Sequence, residues 1–323
     1  MRILVTGAGG FIGSHLCEQL VERSHKVRAF IRYNARSNWG WLEESTVKDL
    51  IEIYAGDIRD YDSVKNALSG MDVVFHLAAL IGIPYSYVSP LAYIKTNIEG
   101  TYNVCQAARE LGINRMVHTS TSEVYGTARY VPIDEEHPLH AQSPYAASKI
   151  AADQLALSYH HSFGLPVVVV RPFNTFGPRQ SARAIIPTII TQVLSGARLV
   201  RLGNLNPTRD FNYVRDTVSG MIAAGFSDQT LGRVVNIGSG REVSIGELVG
   251  MIERVTGREI AVQQEDVRVR PGKSEVERLL CDNRWASKLT GWVPRYTLEE
   301  GLSETVEWFR KKLHLYKPEV YYV

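Results

Sequence analysis

The sequence predicts a doubly wound α/β fold: a parallel, Rossmann-type sheet followed by a smaller mixed α/β C-terminal region. Three observations point there. The first half alternates short β-rich apolar runs with helical patterns, a glycine-rich turn directly follows the first run, and the regularity weakens after about residue 173. Continuous apolar strands separated by helices imply a parallel sheet covered on both faces.

In order, "RILVT" (2–6) reads as a buried strand and "GFIGSHLCEQLVER" (10–23) as an amphipathic helix. Further strands are expected at "KVRAFI" (26–31), "IEIYAG" (51–56), "DVVFHLAA" (72–79), "RMVHTS" (115–120) and "PVVVVRP" (166–172). Long helices are expected over 90–111 and 143–163. Beyond them "VVNIGSG" (234–240) reads as strand and turn, with helices at 244–256 and near 298–313. The expected division is a dinucleotide-binding domain over 1–173, also receiving part of 210–237, and a substrate-binding domain over 174–323.

The chain has 323 residues, 45% hydrophobic and 22% charged, which suits a soluble globular protein with a large core. A net charge of +2 gives no reason to expect nucleic acid or an acidic membrane as partner. Cys17, Cys105 and Cys281 lie far apart and read as small core residues in a reducing compartment, not as a metal site. No run is long and apolar enough to span a bilayer, and the expected location is cytoplasmic.

The turn "VTGAGGFIG" (5–13) spaces Gly7, Gly10 and Gly13 three apart between the first strand and the first helix. Such glycines bring backbone N–H groups against a pyrophosphate at a helix N-terminus, with Phe11 and Ile12 alongside. Where an acid near the end of the second strand would bind the NAD ribose, "AFIRYNARSN" offers Arg32 and Arg36 instead. A guanidinium suits a 2′-phosphate, so NADP is narrowly preferred over NAD. Asp57 and Ile58 of "GDI" are placed at the adenine; Leu77, Ala78, Ala79 and Asn97 are placed farther along the cofactor.

Tyr145 and Lys149 are four apart in a helix that Ser143 can cap, so they share a face. An ammonium beside a phenol favours the phenolate, the form a tyrosine base needs.

With "TGAGGFIG", "GDI", "HLAA", "TNIEGT", "STSEVYG", "YAASK", "RPFNTFGPR" and "RDFNYVRD" in this order, the chain resembles the extended short-chain dehydrogenase/reductases. The resemblance implies a nicotinamide enzyme acting on a nucleotide-sugar, in which Thr121, Tyr145 and Lys149 remove the C4 hydroxyl proton. It also implies that Asn174, Arg209 and Arg270 contact the diphosphate, that Ser86 and Tyr87 contact the sugar with Tyr85 beside them, and that Arg179 and Arg183 border the pocket. A homodimer through the 90–111 and 143–163 helices is expected.

Within this family Glu123 is the discriminating residue. Once C4 is a ketone, a carboxylate at the end of this strand can strip the C5 hydrogen, as a 4,6-dehydratase requires. Ser122 stands where many such dehydratases have an aspartate. The same Thr-Ser-Glu also resembles UDP-glucuronate decarboxylases. The middle of the chain and "RPGKSEVERLLCDN" (270–283) look closer to UDP- or GDP-N-acetylglucosamine dehydratases of legionaminic-acid-type pathways. The reading is therefore a UDP-N-acetylglucosamine 4,6-dehydratase; the alternatives are a decarboxylase, a 4-epimerase, and a noncatalytic dinucleotide-sensing protein.

Overall fold

The computed structural model describes residues 1–320. The first half holds β1 (Arg2–Thr6), α1 (Phe11–Glu22), β2 (Lys26–Arg32), β3 (Ile51–Gly56), α2 (Tyr61–Leu68) and β4 (Val73–His76). It continues with α3 (Ile83–Val88), α4 (Pro90–Tyr93), α5 (Gly100–Glu110), β5 (Arg115–Thr119), α6 (Pro144–Phe163) and β6 (Val167–Pro172). Next come β7 (Asn174–Phe176), α7 (Ile185–Leu194), β8 (Leu199–Leu202), β9 (Thr208–Tyr213), α8 (Val214–Phe226) and β10 (Val234–Ile237). The chain ends with β11 (Glu242–Ser244), α9 (Ile245–Thr256), β12 (Ala261–Gln264), α10 (Arg284–Thr290) and α11 (Leu298–Lys312).

The main sheet has seven strands in the order β10-β6-β5-β4-β1-β2-β3, and every pairing in it is parallel. The chain therefore winds outward from β1 to β3, then returns to wind the other way from β4. The carboxyl ends of β1 and β4 flank the switch point, where an open α/β sheet forms its binding crevice.

Alternate side chains of each strand face opposite layers. Ile3, Val5, Phe75, Val117 and Val168 join a core with α1 and α8. Leu4, Val74, Met116 and Val167 join a second core with Val64 and Leu68 of α2, Val104 and Ala108 of α5, and Ala156 of α6. The first core runs on through Leu248 of α9 to Phe309 of α11. There β7, β9 and β11 form a three-stranded sheet and β8 pairs with β12. Capping boxes at Ser244–Glu247 and Thr297–Glu300 start α9 and α11. All three cysteines are buried and free. Among the described residues no helix is long and apolar enough to cross a membrane.

Two local differences from expectation matter for the site. The strand expected over 72–79 ends at His76, because Thr6 Oγ1 accepts the N–H groups of both Leu77 and Ala78 at 3.1 Å. These residues therefore turn off into the crevice. The helix expected over 90–111 is interrupted by a π-helical turn, Ile94–Glu99, a device that re-aims a side chain, here Asn97.

Candidate active site

The glycine turn is built from backbone contacts that leave no room for side chains. Gly7 has φ +70°, and a Cβ there would lie 2.9 Å from the Ala78 nitrogen. A Cβ on Gly13 would lie 2.3 Å from the Gly7 carbonyl oxygen. α1 begins at Gly10 without a side-chain cap and without an acid in its first turn. Its bare, positively polarised N-terminus thus faces the crevice, with Phe11 and Ile12 anchored in the core below. This cradle fits a dinucleotide pyrophosphate.

Arg32 at the end of β2 and Arg36 beyond it are both exposed. Asn34 fixes the turn between them, accepting from the Arg36 and Asn38 N–H groups at 3.2 and 3.0 Å. Asp57 is gripped by Arg59 at 2.9 and 2.5 Å, and this hydrogen bonding brings its carboxyl down to about 2. Ile58 is buried beneath Gly100.

A hydrogen-bond chain stiffens the crevice wall. Thr101 donates to the Asn97 carbonyl at 2.6 Å and lies 3.1 Å from His76 Nε2; His76 Nδ1 lies 2.8 Å from Thr6 Oγ1. Because Thr101 spends its proton on Asn97, His76 carries its proton on Nε2 and Thr6 donates to Nδ1. The Asn97 side chain is fully engaged: it accepts from the Leu80 N–H at 2.8 Å and donates to the Leu80 carbonyl and Ser148 Oγ at 2.9 Å. Asn97 therefore clamps Leu80, just past the Leu77–Ala79 turn, to α6.

Ser143 caps α6, accepting from the Ala146 N–H at 3.1 Å. Tyr145 and Lys149 then lie on one buried face of the helix. Burial pushes the Tyr145 phenol well up, a hydrogen bond with Thr121 opposes this, and the Glu123 charge adds to the rise. Burial lowers the Lys149 ammonium to about 8, with Asp153 opposing; its Nζ donates to the Thr119 carbonyl at 2.6 Å. Thr121 leaves β5 in extended backbone and caps the short turn Ser122–Tyr125 through the Glu123 N–H at 3.3 Å. Ser122 and Glu123 are buried. Glu123 is close enough to Tyr145 and Arg209 for its charge to act on both.

Opposite, Arg209 of β9 donates to Glu275 Oε1 at 3.2 Å, and Arg270 Nη1 stands 3.7 Å from the same oxygen. Two guanidiniums thus converge on one carboxylate, Glu275. Arg270 Nη1 and Asn174 Oδ1 are buried without a hydrogen-bond partner among the described residues, as expected of groups that await a polar ligand.

Not every expected residue reaches the crevice. Arg179 forms a bidentate ion pair with Glu18 of α1 at 3.0 and 2.8 Å and donates to Ser14 Oγ at 3.1 Å. It joins the loop after β7 to α1, with three of its N–H donors spent on Ser14 and Glu18. Ser86 is fully buried, its hydroxyl donating to the Ile83 carbonyl at 2.7 Å. Tyr85 is exposed. The Tyr87 hydroxyl lies 2.6 Å from Ser274 Oγ, linking α3 to the Arg270 segment. Arg183 reaches Gly82 at the rim.

The sequence reading did not include Glu275, Gln142 or Asp153. Asp153 was legible as the next residue on the Tyr145–Lys149 face. Glu275 and Gln142 gave no local signal, because their partners lie 66 and 131 to 133 residues away in the chain.

A glycine cradle at the switch point, a buried Tyr-Lys pair and facing arginines define a nicotinamide-dependent nucleotide-sugar enzyme of the extended short-chain dehydrogenase/reductase type. Residues 4–305 match the family model described as GDP-mannose 4,6 dehydratase, and the chain belongs to that family. It is 35% identical over 322 residues to a UDP-N-acetyl-alpha-D-glucosaminuronate decarboxylase of Bacillus cytotoxicus, covering 96% of this chain and 98% of that one. It superposes with a TM-score of 0.89 and 30% identity on DesIV, a dTDP-glucose 4,6-dehydratase of Streptomyces venezuelae solved with NAD bound, covering 98% and 99% of the two chains. It also superposes, at 0.87 and 29% identity, on a UDP-glucuronic acid 4-epimerase of Bacillus cereus in complex with UDP-glucuronic acid and NAD, covering 97% and 100%.

Proposed function

We propose that the protein is an NAD(P)-dependent nucleotide-sugar 4,6-dehydratase, a hydro-lyase that converts UDP-N-acetylglucosamine or a related NDP-hexose to its 4-keto-6-deoxy sugar. The observation that carries this reading is the buried Glu123, two residues after Thr121 and within electrostatic reach of Tyr145 and Arg209. C4 oxidation alone needs no such carboxylate; elimination across C5–C6 does.

Tyr145, hydrogen-bonded to Thr121, takes the C4 hydroxyl proton while Lys149 offsets the phenolate charge. A dinucleotide in the glycine cradle supplies the hydride acceptor for C4 and the donor for C6. Glu123 takes the C5 proton, acidified by the C4 ketone, the C6 hydroxyl leaves as water with a proton passed on by Glu123 or by Ser122 and a water, and C5 takes up a solvent proton once hydride has returned to C6. Arg209, Arg270 and Asn174 hold the diphosphate.

Arg32 and Arg36 favour NADP. Replacing both with Gln weakens NADP binding and leaves NAD binding unchanged if they read the 2′-phosphate; an equal loss for both dinucleotides removes that role. Exposed Leu91, Ile94, Tyr102 and Phe163 on the α4–α6 surface support a homodimer, checked by light scattering.

A panel of nucleotide-sugars read by mass spectrometry tests the activity. Loss of one water from UDP-N-acetylglucosamine, with deuterium at C5 when run in heavy water, is the expected result. Carbon dioxide from a UDP-hexuronate means a decarboxylase, which the 35% identical relative and the Thr-Ser-Glu triplet favour as second reading. Unchanged mass with inverted C4 means an epimerase. Inertness with tight dinucleotide binding means a sensor.

A further inference from the structure

Behind the catalytic face lies a buried charge network that the chemistry above leaves unused. Asp153, one helical turn beyond Lys149, is fully buried. Its Oδ2 accepts from Ser120 Oγ at 2.6 Å and from Arg171 Nε and Nη2 at 3.2 and 3.1 Å. Its Oδ1 lies 3.2 Å from His118 Nε2. Arg171 donates onward to the Tyr125 hydroxyl at 3.0 Å, which donates to Asn236 at 2.8 Å. Three strands, β5, β6 and β10, thus fix one carboxylate beneath α6.

Lys149, by contrast, donates to a neutral carbonyl. A buried ammonium held by neutral acceptors loses its proton readily, because burial disfavours the charged form. The titratable groups around it are Tyr145 and Asp153 from α6, His76 from β4 and His118 from β5. Burial lowers both imidazoles, so neither carries charge near neutral pH. Burial would raise the Asp153 carboxyl, but His118, Arg171 and Lys149 hold it below its ordinary value. Asp153 is therefore the anion of the cluster.

We propose that Asp153 is a positioning residue for proton transfer: its fixed carboxylate is the counter-charge that keeps Lys149 protonated while Tyr145 gives up its proton. Its charge acts directly against the Tyr145 phenolate, so the benefit runs through Lys149. With the ammonium at about 8, losing the carboxylate brings neutral Lys149 into the working pH range. The inference rests on Tyr145 and Lys149 performing proton transfer, a step shared by the dehydratase, epimerase and decarboxylase readings, and not on the sugar or the fate of C5.

The test follows Lys149 itself. Isotope-labelled lysine side chains in the full chain are titrated by NMR, with Lys149 assigned through Lys149→Arg. The expected midpoint near 8 falls by about one pH unit or more in Asp153→Asn, the usual effect of removing a close opposite charge, and returns in Asp153→Glu. A merely structural Asp153 would lower the melting temperature and leave the midpoint in place; that result in a folded variant overturns the proposal. Asp153→Asn leaves Arg171 unpaired in the core and can cost the fold. In that event Arg171→Gln is compared with Arg171→Gln/Asp153→Asn, which removes both charges, and the same downward shift is required. A shifted midpoint alongside failed dehydration removes the dehydratase reading and keeps this one.

Discussion

The α6 helix and the segment carrying Arg270 reach the same crevice by different means. On α6, the residues proposed to carry out or support proton transfer are placed by helical geometry alone. Tyr145, Lys149 and Asp153 fall on one face, and Ser143 fixes where the first turn begins. The Arg270 segment lies between β12 and α10 and has little regular structure. Its position depends on tertiary contacts: Gln142 donates to the Lys273 and Glu275 carbonyls at 3.1 and 3.0 Å, and Ser274 donates back to the Gln142 carbonyl at 2.5 Å. Gln142 directly precedes the cap of α6. The arginine proposed to bind the diphosphate is thus hung from the start of the helix proposed to carry the proton transfer, which makes the two proposed roles separable by mutation but linked in geometry.

If that separation holds, the largest effect belongs to the helix. Tyr145→Phe keeps the buried ring and removes the base. Turnover should fall by about 10³-fold, within the usual range for a general base, while dinucleotide binding by fluorescence titration stays unchanged. A variant retaining a tenth of wild-type turnover would show that another group takes the C4 proton. Next comes Glu123→Gln, for which water elimination should drop by roughly 10²-fold or more. Reduction of the bound dinucleotide on mixing with sugar should persist, because C4 oxidation does not use this carboxylate. Equal loss of both steps would make Glu123 a structural part of the Thr121 turn.

Arg270→Gln probes the other side. One charge-assisted hydrogen bond to the diphosphate is worth about 1.5–3 kcal/mol, so KM should rise by roughly 10- to 100-fold with kcat nearly constant. A fall in kcat of the same size would mean that the segment also aligns α6 through Gln142, and the two regions would no longer be independent.

Legibility in the sequence follows the same division. The parallel sheet was readable because its strands are buried on both faces, and the glycine cradle and the Tyr-Lys pair because local spacing defines them. The end of β4 was missed by three residues because a side chain across the sheet, Thr6, takes the next two N–H groups. Glu275 was invisible because its role exists only once β9 and the Arg270 segment are folded together. Arg179 lies in a well-marked motif and Ser86 on the segment after one, yet such placement brings a residue near a crevice without saying which way its side chain turns. Arg179 sits at φ +72°, and its donors go to the partly buried carboxylate of Glu18.

That pair gives the smallest expected effect on function and the sharpest check of the division. Burial would raise the Glu18 carboxyl, but the Arg179 hydrogen bonds and charge, with Ser45 and His15, hold it below its ordinary value. A carboxyl depressed in the folded state adds stability above its unfolded pKa, and that stability is lost as pH falls through the folded value. Arg179→Gln should therefore cost about 1–2 kcal/mol at neutral pH, and its deficit relative to wild type should shrink as pH drops below about 4. KM for the nucleotide-sugar should stay within about twofold, since no energetic loss falls on the diphosphate contacts. Thermal melts across pH and a single saturation curve check both halves. A tenfold rise in KM would return Arg179 to the binding face, and the loop after β7 would then have to turn away from α1 when substrate binds.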